Sequence, residues 1–147
     1  VYKGSSSYTS ANVSSLTPAQ GTNSFTGVGT QTVTFPTATY IYFKPDSKWA
    51  SAGARFAAYF YNKTTNTNKW VSMTKGSDGI YYCEKLSGYP NVIFVRMNPK
   101  TTDNNWDNKW NQTADLTIPT NGNNYFILYN CPDDDSWDKI GGTWSKK

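Results

Sequence analysis

The chain has 147 residues, enough for one domain that buries its own core, and pairs 16% charged side chains with 16% aromatic ones. So many rings exclude an extended disordered chain, and the net charge of +4 comes from scattered Lys and Arg beside Asp and Asn, so no nucleic-acid partner is expected. Histidine is absent, glutamate occurs once and cysteine twice, which removes Ser-His and Cys-His nucleophiles and any Cys/His zinc site; no enzyme is expected.

Residues 1–23 are rich in Ser, Thr, Gly and Ala, with Pro18 and no apolar period, and read as a linker or N-terminal arm ahead of a folded module over 24–147. No apolar run approaches the ~20 residues that span a membrane, so no membrane insertion is expected. With no initiator Met or signal peptide ahead of Val1, the chain reads as a piece of a longer protein. Export is an expectation from composition alone.

Strand signals begin at Thr32–Phe35, which stops at Pro36. Tyr40–Lys44 alternates, with Ile41 and Phe43 on one face and Tyr40, Tyr42 and Lys44 on the other. Arg55–Tyr61 contains alanines, but it is short and carries aromatics at period two, so a strand is predicted, with Phe56, Ala58 and Phe60 inward. After a hairpin loop, Trp70–Thr74 should face Val71 and Met73 inward, which leaves Trp70 outward with Tyr59 and Tyr61. Ile80–Leu86 follows, then Val92–Met97, apolar on both faces and so expected at the centre of a sheet. Ala114–Ile118 and Tyr125–Tyr129 complete the set, and a tail bearing Trp137 and Trp144 around Gly141-Gly142 should fold back on the rest. Seven or eight short strands, frequent turns and no helix predict an all-β, immunoglobulin-like antiparallel β-sandwich.

Between the last apolar strand and Leu116 lies Asn98-Pro-Lys-Thr-Thr-Asp-Asn-Asn-Trp106-Asp-Asn-Lys-Trp110-Asn-Gln, too polar to be core yet holding two indoles. An indole kept wet by design usually has something to stack on it. The spacing of four predicts Trp106 and Trp110 on one side of this loop. A pyranose offers an apolar C–H face and a rim of hydroxyls, and the complementary receptor is a flat indole edged by amides and a Lys. Asn105, Asn108, Lys109 and Gln112 supply that edge, so this loop and the outward Tyr59, Tyr61 and Trp70 form the candidate carbohydrate-binding surface. Trp49, Trp137 and Trp144 read as structural.

Two features have blander readings. Asp133-Asp134-Asp135 could offer oxygens to calcium, but its spacing is not that of an EF-hand loop, and a solvated acidic loop is the favoured reading; no cofactor or metal site is assigned. Cys83 and Cys131 are either one disulfide or two unpaired buried thiols. No pair of carboxylates sits in an apolar stretch that would tune it for glycoside hydrolysis, so no catalytic residue is assigned.

Tyr59-Phe60-Tyr61, Trp70-Val71-Ser72-Met73-Thr74, Asn91-Val92-Ile93-Phe94 and Asn104-Asn105-Trp106-Asp107-Asn108 follow one another in an order that resembles starch-binding carbohydrate-binding modules of families 25 and 26, over roughly Tyr40 to Leu128. The resemblance implies a non-catalytic immunoglobulin-like sandwich that binds starch and maltooligosaccharides. It implies a module of a secreted or cell-surface protein, joined to other modules of the same chain; a monomer is expected. It assigns the stacking aromatics to Tyr59 or Tyr61, Trp70 and Trp106, and a rim amide to Gln112. This chain departs from the family in having Ala57 where an aromatic is expected and in its longer loop between Arg96 and Asp115, with Trp110 as the replacement ring. The alternative is an immunoglobulin-like structural or adhesin module that binds no sugar.

Overall fold

Alternation decides which way each strand faces. In a computed structural model, which describes residues 39–147, that alternation builds ten strands. These are β1 (Tyr40–Lys44), β2 (Arg55–Asn62), β3 (Thr67–Ser72), β4 (Thr74–Lys75), β5 (Tyr81–Glu84), β6 (Asn91–Met97), β7 (Lys109–Gln112), β8 (Leu116–Thr117), β9 (Tyr125–Leu128) and β10 (Gly142–Ser145). One sheet runs β10-β9-β1-β5-β4, the other β3-β2-β6-β7, with β8 pairing the start of β6. The expected all-β antiparallel sandwich of immunoglobulin type is therefore met, with one parallel pairing, β1 beside β9. The expected arm over 1–23, the start of the module at 24 and the expected strand Thr32–Phe35 lie outside the described residues.

The core lies between the sheets. Ile41, Phe43, Phe56, Ala58, Phe60, Val92, Phe94 and Phe126 are buried there, each on the inward parity of its strand. Phe43 of one sheet stacks on Phe94 of the other with centroids 4.6 Å apart. Burying one such ring is worth about 1.5–3 kcal/mol relative to leaving it in water. Trp49 is fully buried, and its indole N–H donates to Trp137 O at 3.0 Å. The tail folds back as expected, because β10 pairs with β9 and sets Trp144 against Phe126 at 5.1 Å. Gly142 permits this pairing: a Cβ there would collide with Ile127 O and the Phe126 ring.

Three expectations change in detail, and one open alternative resolves. The Trp70–Thr74 strand breaks at Met73, where the chain leaves β3 for the other sheet as β4, although Val71 and Met73 do pack on the core. Ala114–Ile118 narrows to the two residues of β8. The polar loop is not all loop, since its second half is β7, an edge strand on β6. Cys83 and Cys131 are both buried free thiols, so the unpaired alternative is the one that forms.

Candidate functional site

β6 is apolar on both faces because both of its faces are covered. Inward, Val92 and Phe94 join the main core; outward, Ile93, Val95 and Met97 join Ala57 and Tyr61 in a second, smaller cluster against which Tyr59 and Trp70 pack. The register orders this outer face in rows. Asn68, Tyr61, Asn91 and Thr117 form one row; Trp70, Tyr59 and Ile93 the next; Ser72, Ala57, Val95 and Gln112 the third; Arg55, Met97 and Lys109 the last.

The last rows are roofed by the segment between β6 and β7. Arg55 holds it: Nε donates to Thr101 O at 2.7 Å, Nη1 to Asn104 Oδ1 at 2.7 Å, and Nη2 to Asp103 O at 2.7 Å and Thr101 Oγ1 at 3.2 Å. Burial lowers the guanidinium pKa from its ordinary value, while Asp103 acts in the opposite direction. Asn104 Nδ2 donates to Ser72 Oγ at 2.9 Å and fastens the segment to β3. The chain then enters one 3-10 turn, Trp106–Asn108, capped by Asn105, whose Oδ1 accepts from the Asn108 N–H at 3.0 Å. Asn is a favoured residue at such a cap because its short amide reaches the first free N–H groups.

That turn delivers Trp106 onto the row of Tyr59 and Trp70. Its ring meets Tyr59 at 4.8 Å and 65°, and Trp70 at 4.7 Å and 63°, while Tyr59 and Trp70 lie 4.9 Å apart at 55°. Tyr59 also stacks on Tyr61 at 5.7 Å. Three separate segments thus bring their rings together, with Trp106 edge-to-face on both partners, an arrangement favoured by aromatic quadrupoles. Trp106 remains 41% exposed at the crest, with Tyr59 and Trp70 half-buried below it. Tyr61 is nearly covered, and its hydroxyl pKa is pushed up to about 12 by burial first and then by the neighbouring Asp115 carboxylate.

Trp110 is elsewhere. The spacing of four fails because the 3-10 turn ends at Asn108 and the chain becomes extended at Lys109. Met97 pairs with Lys109 but Arg96 pairs with Asn111, so Trp110 is the extra residue of a bulge. Its ring lies 4.7 Å from the guanidinium carbon of Arg96, an inward residue held by Trp49 O at 2.6 Å, Asn111 Oδ1 at 3.0 Å and Ser51 O at 3.2 Å. Trp137 lies on the same guanidinium at 5.7 Å. Trp110 therefore braces the β7 edge and does not extend the Trp106 cluster.

The expected rim is largely engaged in holding the site. Asn105 caps the turn, and Asn108 Nδ2 donates to Asp103 O at 2.9 Å. Gln112 is buried and accepts from Lys109 Nζ at 2.8 Å, while that ammonium also faces Asp138 at 3.8 Å. Asn68, Asn91 and Thr117 share the outward row beside the cluster and were not singled out in the sequence. Alternation with Trp70 and Ile93 was the available signal for the two asparagines. Asp133 pairs with Lys48 at 2.9 Å and Asp134 accepts from Ser136 N at 3.1 Å, and no group of three or more metal-ligating side chains occurs among the described residues. No helix among them is long and apolar enough to cross a membrane.

Compared with known proteins, the chain matches no family model, no curated protein and no solved structure.

Proposed function

We propose that the protein is a non-catalytic module that binds starch and related α-1,4-glucans, with Trp70, Trp106 and Tyr59 as the rings that meet the sugar. The observation that carries this is the trio itself. Rings from β2, β3 and the 3-10 turn converge within 4.7–4.9 Å, yet the crest stays open to solvent. Their planes meet at 55–65°, so the surface is creased, which suits the bent chain of an α-glucan better than a flat ribbon. Asn68, Asn91 and Thr117 lie in the next row and carry the donors and acceptors that a sugar's hydroxyl rim requires. The two cations in the last row of the face are engaged, Arg55 by the loop and Lys109 by Gln112 and Asp138, which favours an uncharged ligand over an anion. Affinity should be modest, with a Kd between ~1 μM and ~1 mM.

A secreted or cell-surface setting, a monomeric state and a place beside other modules of an amylolytic or starch-adherence protein belong to the same proposal. One observation favours a purely structural module: the trio also caps the buried floor of Ala57, Ile93, Val95 and Met97. Affinity electrophoresis separates the two. The α-glucan reading expects retarded migration in gels containing amylopectin and unretarded migration with xylan or β-glucan. Equal mobility in all of them would sink it.

A further inference from the structure

The outer face of the other sheet carries its own rings. Tyr40 and Tyr42 on β1 point away from the core that takes Ile41 and Phe43, and Tyr82 on β5 points away from the core that takes Tyr81 and Cys83. The register sets Tyr42 opposite Tyr82. Centroids are 5.8 Å apart for Tyr40 and Tyr82, 6.2 Å for Tyr42 and Tyr82, and 6.5 Å for Tyr40 and Tyr42. Tyr40 is 40% exposed.

Cross-strand tyrosines need no ligand to be worth having, because such pairs stabilise a sheet. What distinguishes these is a depression of about 170 Å³ beside them, whose lining includes Tyr42, Tyr82, Asp78, Ile80 and Lys147. Its rim is preformed. Asp78 Oδ1 accepts from the Ile80 N–H at 3.0 Å, and Oδ2 faces Lys147 Nζ at 3.5 Å. Lys147 Nζ also lies 5.3 Å from the Tyr42 ring. The turn that carries the carboxylate is tight, since a Cβ on Gly76 would come within 2.9 Å of Asp78 Oδ1.

An aromatic wall with a carboxylate and an ammonium at one edge matches a hydroxylated ring. The ring's C–H face can lie on tyrosine while one hydroxyl donates to Asp78 and another accepts from Lys147. The two charges offset each other, which favours a neutral saccharide over an anion. We propose that this surface is a second saccharide-binding site, so that one module holds two glucan segments on opposite outer faces. This rests on the α-glucan reading of the tryptophan site. A sandwich presents its two outer faces in opposite directions, so two chains, or two distant segments of one, are bridged.

The test is the stoichiometry of maltoheptaose binding by calorimetry, together with the turbidity of dissolved amylopectin. Three proteins are compared: the wild type, a Trp70→Ala/Trp106→Ala variant and a Tyr42→Ala/Tyr82→Ala variant. Two sites in the wild type, one in each variant, and turbidity with the wild type alone is the expected result. One wild-type site that vanishes with the tryptophans overturns the second surface and leaves the first. No heat from the wild type overturns the α-glucan reading itself. Should the tyrosine variant not fold, Asp78→Asn and Lys147→Ala take its place. Each is expected to weaken one of the two sites at least fivefold, and unchanged heat in both overturns the proposal.

Discussion

Trp110 packs on Arg96, with its ring 4.7 Å from the guanidinium, and this pair separates the two indoles that the sequence placed together. Trp106 crowns the Tyr59 and Trp70 rings of the outer face; Trp110, itself 38% exposed, lies over the guanidinium of the inward Arg96. The pair predicts that Trp110→Ala costs stability and spares binding. Loss of a cation–π contact and of ring packing should cost about 1–3 kcal/mol in urea unfolding. Affinity for maltoheptaose should stay within about twofold. A large loss of affinity without a loss of stability would reverse the assignment.

Arg96 itself should be among the least replaceable side chains. It is 6% exposed and bonded to Trp49 O, Ser51 O and Asn111, and burial lowers its pKa from the ordinary guanidinium value. Arg96→Ala leaves those acceptors without their donor and opens a gap between Trp110 and Trp137. We expect a loss of about 2–5 kcal/mol, read from the urea midpoint. Arg96→Lys should recover only part of it, since one ammonium cannot reproduce the planar fork.

Arg55 tests whether the roof positions Trp106. Its four hydrogen bonds go to Thr101, Asp103 and Asn104, none of them in the main core. Arg55→Ala should speed amide exchange over residues 98–108 while exchange in β6 stays slow. Binding at the tryptophan site should weaken at least fivefold. Unchanged exchange in that segment would mean the roof is held by something else.

The two thiols set a pH dependence. Burial pushes Cys83 up to about 12, and it pushes Cys131 up to about 11, with Asp46 adding to the effect. Below the ordinary thiol value of 9.0 both states hold these protons, and the thiols contribute no slope. Above it the unfolded chain releases them while the folded chain retains them. Stability should therefore fall as pH rises from about 9 to about 11, by on the order of 1 kcal/mol per unit per thiol. Urea midpoints at pH 8 and 10.5 check this, and a Cys83→Ala/Cys131→Ala variant should show the shallower drop. With no disulfide, dithiothreitol should leave the melting temperature unchanged.

Much of the fold is legible in the sequence because it is written in parity. Ile41, Phe43, Phe56, Ala58 and Phe60 fall on the inward face that alternation gives them, and Val92–Met97 is central because both of its faces are apolar. The meeting of Tyr59 and Trp70 is likewise legible, since a hairpin pairs residues of matching parity. β7 is not, because Lys-Trp-Asn-Gln has no apolar alternation and becomes a strand only by completing the open edge of β6. The separation of Trp110 from Trp106 is not legible either: a spacing rule fails where a turn ends inside the interval. Nor does the sequence show that Asn105, Asn108 and Gln112 spend hydrogen bonds on the loop itself, or that Tyr61 is nearly covered, since both depend on which segment roofs the outer face.

The central claim is that sugar meets Trp70 and Trp106, and the six tryptophans offer a direct reading of it. Each indole N–H gives its own proton–nitrogen resonance, assignable by single substitution. On titration with maltoheptaose, the Trp70 and Trp106 signals should shift saturably with one shared Kd, while those of Trp49, Trp110, Trp137 and Trp144 stay in place. Saturable shifts confined to Trp110, or no shift in any of the six up to ~10 mM ligand, where even weak sugar binding would register, would contradict the account.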